Sequence, residues 1–441
     1  MLHQAVFPFK LGITKEKLTA HGGLALMAEF NHGIGLRELT DKYLPLPGSN
    51  RGYTPSVFVN SLVLMLEGGG RSLEDIRELA EEGELMKLIG ESNIPDPDTV
   101  GDWLRRMGDP ESGQLGLKGL DKVRNIINER ILRRDGIEKY TLDADATEIV
   151  GEKEEALFTY KGNKGYMPML GFLYESNLCL YDEFREGNVP PAFDQRGFYL
   201  ECKKRMPAGK RIGYYRADSA SYQSDLINPL ESDEVKYTIT ADQDVAVRGV
   251  IASIPEEEWE EPEKGCGYKL AETVHSMEKT KRAFRLVIKR EKRKQRELFD
   301  NGEGKYFYYA VATNWLEEDK NNYEVIRWHN QHGQAENFNK ELKIGIGMER
   351  MPCGQTHANA LFFRIGIIAY NLFIDFKRLS CPESWLKHTI ATFRWKMVQV
   401  AGRIVKHAGC VVLKLAVDIK KLELFRKIRK KSFELSLCPD G

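Results

Sequence analysis

The order of elements predicted along the chain indicates a mixed α/β protein whose sheet is flanked by helical regions. Residues 1–135 carry amphipathic helical patterns broken by Gly and Pro. Residues 140–313 alternate between strand and helix patterns, and the chain is again helical from about residue 357. With 441 residues, 42% of them hydrophobic, the chain can bury a sizeable core in roughly two to four domains.

Charge and cysteine usage exclude several classes of protein. Lys and Arg together number 65, as do Asp and Glu, so a uniformly basic nucleic-acid binder is excluded while local basic faces are not. The seven Cys are scattered without a CxxC pair, which argues against a disulfide framework or a zinc knuckle. The cysteine usage therefore predicts that the protein resides in a reducing compartment.

Membrane and secretion signals are not expected either. The first residues lack a basic segment followed by a long apolar run, as a signal peptide would have. No stretch is expected to reach the roughly 18 apolar residues of a membrane span. The nearest, at residues 360–376, is interrupted by Arg364, Asn371 and Asp375. We therefore expect a soluble cytoplasmic protein without a membrane partner.

The N-terminal region, residues 1–135, is predicted to be a domain of short helices with tight polar turns. Residues 57–67 form a strongly apolar helix that is stopped by three consecutive Gly residues. Ser72 opens the next helix as an N-cap, with Asp75 three residues further on. Such a bundle fits a helix-turn-helix-like DNA-binding domain and equally an ordinary helical domain.

From residue 140 the pattern changes to strands, because apolar and β-branched residues alternate with polar ones. A hairpin is predicted where two such runs flank residues 175–177. The predicted strands lie at 140–149, 169–174, 178–184, 211–217 and 236–241, and the helices between them at 191–206 and 222–230. This order is typical of a mixed α/β sheet.

Residues 243–308 are predicted to form a separate β-rich insertion. An acidic run at 256–261 is followed by a basic run at 279–296, part of which alternates with apolar residues, and then by a strand at 306–313. Beyond it, residues 323–343 are predicted to be one long helix. The rest of the chain is predicted to be helical, with a basic end.

Four acidic residues are candidates for metal chemistry. Asp143 and Asp145 lie within an apolar strand and project to the same face, where carboxylates are costly unless they are paired or bound to metal. Asp218 follows a strand, at the end where α/β sheets place their ligands, and Glu336 lies on the long predicted helix. A single Asp is more often a solvated surface acid. Together, however, these carboxylates suit Mg²⁺, which binds oxygen ligands and substrate phosphate.

The helix that carries Glu336 also carries four nitrogen-bearing side chains. His329, His332, Lys340 and Lys343 lie at offsets −7, −4, +4 and +7 from Glu336, which places them on one face of a continuous helix. Such a face suits DNA, with the acid holding metal and the nitrogens holding phosphates. A salt-bridged helix surface is an equally good interpretation of the spacing, and a zinc site is a poor one because no third ligand fits.

Three motifs together resemble a known family. The segments LDADAT, YYRADSASY and HNQHGQAENFNKELK resemble the signatures of DDE transposases of the IS4/IS1380 type, over roughly residues 20–380. The resemblance implies an RNase H-like catalytic core with a β-strand insertion between the second Asp and the Glu. It also implies two catalytic Mg²⁺ (or Mn²⁺) ions.

The resemblance assigns roles to individual residues. The catalytic, metal-binding acids fall on Asp145, Asp218 and Glu336, with Asp143 as the alternative for the first Asp. The family places Tyr, Arg and Lys around the Glu, and of these only Lys343 matches, because His329 and His332 stand in the other two positions.

On this resemblance we expect an insertion-sequence transposase that binds terminal inverted repeats and catalyses cut-and-paste DNA cleavage and strand transfer. It would be a homodimer or larger assembly on double-stranded DNA, in the nucleoid of a prokaryotic-type cell.

The side chains expected to contact DNA are His329, His332, Lys340, Lys343, Arg290, Lys292, Arg293 and Lys294. Trp259 could stack on a flipped base, although packing is its more frequent role. Two alternatives remain, a non-cleaving DNA-binding protein derived from a transposase and a stand-alone RNase H-like nuclease.

The expected domain organisation has five segments. They are a helical DNA-binding domain (1–135), the first part of the catalytic core (136–242), the insertion (243–308), the second part of the core with the Glu helix (309–375), and a basic helical C-terminal region (376–441). The basic C-terminal end is expected to contact DNA or a partner subunit.

Overall fold

A computed structural model of the protein describes residues 11–49, 51–293 and 306–438. The N-terminal part is helical, as predicted. It comprises a short strand and seven helices: β1 Leu18–Thr19, α1 Leu24–Gly33, α2 Leu36–Tyr43, α3 Pro55–Gly68, α4 Ile76–Glu81, α5 Gly83–Leu88, α6 Pro97–Gly108 and α7 Leu115–Arg133. The predicted capping box is confirmed, because the side chains and backbones of Ser72 and Asp75 cap each other where the chain re-enters helix after α3.

The centre of the molecule is a mixed sheet whose first five strands have the order expected of an RNase H-like core. These strands are β2 Lys139–Ala146, β6 Met169–Leu173, β7 Leu178–Glu183, β8 Arg211–Ala217 and β9 Lys236–Thr240. They lie in the order β7-β6-β2-β8-β9, in which β2, β8 and β9 are parallel and the predicted β6–β7 hairpin is antiparallel. The fold class predicted from the sequence is therefore confirmed.

Short elements complete this part of the fold. A small three-stranded sheet follows β2 and consists of β3 Ile149–Val150, β4 Leu157–Phe158 and β5 Lys164–Tyr166. Two helices, α8 Gln195–Lys204 and α9 Ser224–Ser232, flank β8 along the chain, as predicted. Because α9 connects the parallel strands β8 and β9, the carboxyl ends of these strands meet at one edge, where the candidate acids lie.

The strands of the insertion continue the same sheet, so the prediction of a separate piece was wrong. The insertion comprises α10 Val245–Ala252, β10 Tyr268–His275, β11 Phe284–Lys292 and β12 Tyr306–Thr313. Strand β12 pairs antiparallel with β9, and the complete sheet has eight strands in the order β10-β11-β12-β9-β8-β2-β6-β7. The physical reason is that the edge of β9 would otherwise be left without a partner.

The predicted helix over residues 323–343 is divided into three pieces, which corrects the expectation of one continuous helix. The pieces are α11 Asn322–Asn330, α12 Gly333–Lys340 and a π-helical turn over Glu341–Gly345. The long helix α13, Thr356–Ser380, follows. The break between α11 and α12 removes the common face that a continuous helix would have given to residues 329–343.

Among the residues that the structure describes, α13 is the one helix long and apolar enough to cross a membrane, contrary to the expectation that no stretch would be. In the window that meets this test, 89% of the residues are buried inside the protein. The polar residues that interrupt the helix are also partnered, since Arg364 binds Asp182 and Asn371 binds the backbone of Cys179. The helix is therefore a core element.

The C-terminal region is not entirely helical, in contrast to the prediction. It contains α14 Glu383–Leu386, α15 Ile390–Phe393, a π-helical turn over Arg394–Val398, the strands β13 Gly402–His407 and β14 Cys410–Leu415, and α16 Ile419–Leu437. The strands form a hairpin that also pairs with β1. Its two-residue turn, Ala408-Gly409, has positive φ at both positions, as a tight hairpin turn requires.

A buried carboxyl group in α3 makes a testable contribution to stability. Glu67 is fully buried and accepts a hydrogen bond from Asn31 Nδ2 at 3.0 Å, and burial raises its pKa to about 8. The folded protein therefore retains a proton that the unfolded chain releases at about pH 4.5. Stability should consequently fall as the pH rises through this interval.

We predict that Glu67→Gln removes the decrease in stability that the wild type shows as the pH rises. Between pH 5 and pH 8, the unfolding free energy of the wild type should decline relative to that of the variant by about 3–4 kcal/mol. Urea unfolding across this range measures the difference. Glu74→Gln, at a carboxylate whose side chain is 70% exposed, is the control and should follow the wild type. Parallel pH profiles for wild type and Glu67→Gln would contradict the assignment.

Candidate active site

Two Asp residues of β2 share a face but have different environments. Asp143 is fully buried and forms a two-pronged ion pair with Arg216 of β8, with both N–O distances at 2.8 Å. Arg216 also donates to the backbone oxygen of Trp328 and to Gln331 Oε1. Both oxygens of Asp143 are therefore occupied by Arg216, which disfavours it as the alternative first catalytic Asp.

Asp145 lies two residues further on, close to the end of β2. Its Oδ2 accepts a hydrogen bond from Asn339 Nδ2 at 2.7 Å. Burial, opposed by His332 and assisted by the neighbouring Asp218 and Glu336, raises the pKa of Asp145 to about 6. Asp218 and Glu336 are thus close enough to Asp145 to influence its ionisation.

The register of the parallel strands explains why Asp145 and Asp218 meet. Ala144 of β2 is opposite Ala217 of β8. The residues that follow them, Asp145 and Asp218, therefore have backbones about 5 Å apart, the usual spacing of neighbouring strands. Asp218 caps the following turn by accepting a hydrogen bond from the Ala220 N–H at 3.0 Å. Partial removal from water raises the pKa of Asp218, and the charge of Asp242 adds to this effect. Metal binding would relieve this repulsion between neighbouring acids.

The helical side of the site is contributed by α12 and the turn before it. Glu336 is exposed on α12, which packs against β2, and Lys340 is exposed one turn later. His332 lies at the break before α12, with its Nδ1 3.2 Å from Asp143 Oδ1. Burial opposes protonation of His332, but the hydrogen bond to Asp143 and the nearby carboxylates outweigh it and raise the pKa. The surrounding acids therefore favour the protonated form of His332.

His329 does not lie on the exposed face, and its assignment as a DNA contact was wrong. The side chain is buried between Thr238 and Thr240 of β9, at 2.8 and 3.0 Å from their hydroxyls. Burial, together with the nearby His332 and Arg216, lowers the pKa of His329 to about 3. A neutral, enclosed imidazole cannot bind a phosphate, so His329 joins α11 to the sheet.

A groove leads from the end of β2 to the N-terminal helices. One cavity of about 560 Å³ is lined by Ala146, Lys161, Lys343 and Arg350, among others. It shares Arg350 with a second cavity of about 510 Å³, whose lining includes Arg71, Arg105 and Lys153. The acids Glu148 and Glu349 also line the first cavity. However, Glu148 accepts hydrogen bonds from its neighbours Thr159 and Asn163, and Glu349 lies near Arg71.

Lys343 is held at the edge of this groove. Its Nζ donates to the backbone oxygen of Glu148 at 2.6 Å, and burial lowers its pKa. It lies on the π-helical turn that continues α12, a local geometry that is frequent at functional sites. The predicted position of Lys343 near the acids is therefore consistent with the geometry.

The basic run of the insertion is only partly available for DNA. Arg290 was predicted to contact DNA, but its guanidinium forms two hydrogen bonds with Glu256, at 2.8 and 2.6 Å, and lies 4.1 Å from the ring of Trp259. Arg290 and Trp259 are both buried, so the packing role of Trp259 is confirmed and the DNA contact of Arg290 is corrected. Lys292 and Arg293 are exposed, and Lys294 lies outside the described residues.

The donor chemistry of the site fits a hard divalent cation. Asp145, Asp218 and Glu336 offer carboxylate oxygens, which Mg²⁺ and Mn²⁺ prefer, and burial together with nearby acids raises the pKa of both Asp side chains, an effect that a bound cation would oppose. Within residues 11–49, 51–293 and 306–438, no three His, Cys, Asp or Glu side chains converge closely enough to form a complete metal cluster. The residues thus provide ligands whose full convergence the structure does not show.

An Asp at each of two adjacent strand ends, with a Glu on a helix packed against β2, is the arrangement that the sequence analysis expected of a DDE-type carboxylate site on an RNase H-like core. A family model described as Transposase DDE domain group 1 matches residues 9–436. The chain belongs to this DDE transposase family.

Comparison with solved structures gives a distant similarity. The cryo-EM structure of the piggyBac transposase synaptic complex with hairpin DNA is 12% identical, with a TM-score of 0.45, and the match covers 86% of this chain and 80% of that chain. No curated protein matches the chain significantly.

Some residues of the site were missed by the sequence analysis. The role of Arg216 could have been predicted, because a charged residue within an apolar strand requires a partner. Asp143, an equally unusual residue in the neighbouring strand, was the obvious candidate for that partner. Asn339 and Arg350 had no local signal, since only the folded chain brings them to the site and its groove.

The two Asp residues of β2 should respond in opposite ways to the same substitution. Asp143→Asn leaves the Arg216 guanidinium buried without a counter-charge and should destabilise the fold by about 3–5 kcal/mol. Asp145→Asn removes a charge that burial and neighbouring acids disfavour, and should raise stability by about 1–2 kcal/mol in the presence of EDTA. Chemical unfolding at pH 7.5 measures both effects. Equal changes for the two variants would show that Asp143 and Asp145 are not distinguished as described.

Proposed function

We propose that the protein is an insertion-sequence transposase of the IS4/IS1380 type that binds terminal inverted repeats and cuts and joins DNA. The observation that carries this proposal is the placement of Asp145 and Asp218 at adjacent strand ends, with Glu336 on a helix packed against β2, beside a groove lined by several basic side chains. The groove suits the phosphate backbone of DNA, because Lys and Arg there can replace bound counterions.

The site residues divide the chemistry among them. Asp145, Asp218 and Glu336 would hold two Mg²⁺ (or Mn²⁺) ions, which polarise the scissile phosphate and activate the attacking oxygen. Lys343 and Arg350 would contact neighbouring phosphates and fix the strand. Arg216 does not touch DNA in this scheme but positions Asp143 and the turn before α12.

Two reactions of the same kind would follow one another. Water attacks a phosphodiester at the element end, so that the bond to the 3′ oxygen breaks and a free 3′-OH is released. That 3′-OH then attacks a phosphodiester of target DNA in line, forming one ester bond as another breaks.

The proposed assembly is a homodimer or larger, because the two ends of the element must be brought together. The proposed location is the nucleoid of a prokaryotic-type cell.

The three carboxylates should be required for chemistry and dispensable for DNA binding. Asp145→Asn, Asp218→Asn and Glu336→Gln should each reduce Mg²⁺-dependent nicking and strand transfer at least a hundredfold, because each removes a ligand charge while preserving shape. Binding to the DNA that flanks the coding region should remain within about threefold, since base and phosphate contacts lie elsewhere. Gel assays of nicking and binding measure the two effects.

The matched control is Asp225→Asn, at an exposed carboxylate on α9, which should leave both activities unchanged. A wild-type protein that binds inverted repeats in this flanking DNA but never nicks them would favour the alternative of a non-cleaving DNA-binding protein. Nicking without preference for these repeats would favour a stand-alone nuclease.

The groove should determine the salt dependence of DNA binding. Lys153→Gln combined with Arg350→Gln should lower the slope of log affinity against log salt concentration by about 1.8, at roughly 0.9 for each phosphate that the variant no longer neutralises. Fluorescence anisotropy on a flanking-DNA duplex between 50 and 250 mM salt, roughly the range over which such contacts weaken, measures the slope.

Lys203→Gln combined with Lys204→Gln is the control, at two exposed lysines of α8 that lie beside acidic partners outside both cavities. An unchanged slope for the Lys153 and Arg350 pair would exclude the groove as the path of the DNA backbone.

A further inference from the structure

Two aromatic side chains are exposed on the hairpin that follows the catalytic strand. Phe158 of β4 is 63% exposed and Tyr160, in the turn between β4 and β5, is 65% exposed. Large aromatic side chains exposed close together indicate a binding surface. Trp259, which the sequence analysis considered as a base-stacking residue but expected more often to pack, is buried and cannot stack on a base.

The hairpin has a defined geometry. The Thr159 N–H donates to the Asn163 oxygen at 2.8 Å, and the Gly162 N–H donates to the Thr159 oxygen at 2.9 Å. Gly162 has a φ of +84°, which a glycine adopts without strain. Tyr160 and Lys161 therefore occupy the middle of a tight turn, where their side chains meet the solvent.

The turn is fixed relative to the catalytic acids. The hydroxyl of Thr159 donates to the carboxylate of Glu148, which lies three residues after Asp145. The backbone oxygen of the same Glu148 accepts the hydrogen bond from Lys343 Nζ. The hairpin is thereby attached both to the end of β2 and to the segment that continues the Glu336 helix.

One glycine allows the chain to cross this small sheet closely. A Cβ atom on Gly187 would lie 2.2 Å from the Leu157 oxygen and 2.6 Å from the Gly165 oxygen, so no larger residue fits without a shift of the backbone. Glu186, the residue before it, forms a β-bridge with Tyr166. The backbone of this segment therefore packs against the hairpin, whereas Phe158 and Tyr160 remain exposed.

The charges around the two rings favour a polyanion. Lys161 Nζ lies 5.5 Å from the centre of the Tyr160 ring, and Lys164 Nζ lies 5.9 Å from that of Phe158. Lys161 also lines the 560 Å³ cavity together with Ala146, the neighbour of Asp145. Aromatic faces interleaved with cations are the combination by which proteins bind single-stranded nucleic acid.

We propose that this aromatic hairpin, residues 158–164, binds unpaired nucleotides of DNA next to the scissile phosphate. Bases stack on Tyr160 and Phe158, and the adjacent phosphates contact Lys161 and Lys164. This inference rests on the proposed function, because it assigns to the same site the strand separation that accompanies cleavage.

The experiment compares two DNA probes in EDTA, where no cleavage occurs. One is a blunt duplex of flanking DNA, and the other is the same duplex with a six-nucleotide single-stranded tail that contains 2-aminopurine. Tyr160→Ala and Phe158→Ala should each weaken binding of the tailed probe at least fivefold and leave binding of the blunt probe within twofold. Tyr160→Phe, which keeps the ring, should bind both probes like the wild type.

Two further readouts test stacking itself. The wild type should quench 2-aminopurine fluorescence in the tail, and the Phe158→Ala/Tyr160→Ala double variant should not. Phe307→Ala, at a ring of β12 that is 55% exposed, is the control for removal of any exposed aromatic and should behave like the wild type. Its unchanged behaviour, together with normal blunt-duplex binding by all variants, shows that the effect is local.

The possible outcomes separate the inference from the proposed function. Equal weakening of both probes, or none, overturns the single-strand role of the hairpin while DNA binding by the wild type still supports a transposase. A wild type that binds neither probe overturns both proposals. Unchanged DNA binding with a loss of self-association in Tyr160→Ala would assign the surface to a contact between copies of the chain, and would also overturn the inference.

Discussion

The ion pair between Asp143 and Arg216 is the interaction on which the arrangement of the site depends. It joins the two parallel strands that deliver Asp145 and Asp218, two residues beyond each partner. The same guanidinium binds the last turn of α11 through the Trp328 oxygen and lies 4.8 Å from the Trp328 ring. A single buried cation thus fixes the two strands and the end of α11, from which the chain leads into the helix that carries Glu336.

The break between α11 and α12 follows from this pairing. Arg216 binds Gln331 and Asp143 binds His332, so the two residues that a continuous helix would carry outward are turned toward the sheet. A buried ion pair is not in itself a large source of stability, because both charges are removed from water. Its contribution here is specificity, since an arrangement of these segments that separated the two partners would leave each of them buried and unpaired.

The sequence predicted those parts of the fold that depend on local pattern. The core strands, the β6–β7 hairpin and the position of Asp218 at a strand end follow from alternation and turn residues. The β13–β14 hairpin also had a local signal, a two-residue turn ending in Gly409, but its mostly exposed strands lack clear apolar alternation and resemble a basic helix. Ion pairs between separate segments could not be predicted from the sequence. The pairing of Arg290 with Glu256, for example, depends on how distant segments fold together.

For the same reason a helical wheel was misleading around Glu336. It assumes a continuous helix, and the buried position of His329 arises from contacts with β9 that no spacing on one helix encodes. The candidate metal-binding acids were easier to predict from the sequence than the cations expected to contact DNA. An acid within an apolar strand is unusual wherever it occurs, whereas lysines and arginines are common on every surface and reveal a role only through what surrounds them.

The zero net charge of the chain is compatible with the proposed basic path for DNA, because charge is distributed unevenly in the fold. Many of its cations are neutralised locally, as Arg290 is by Glu256 and as Arg124 and Arg364 are by Asp182. Of the cations that line the groove, Arg71 and Arg105 also lie beside acids, Glu349 and Asp102, whereas Lys343 donates to the backbone oxygen of Glu148. Where the cations lie on the surface therefore matters more than how many of them the sequence contains. A run of basic residues is for that reason a weaker indicator of DNA binding than a few cations gathered around a cavity next to candidate metal-binding acids.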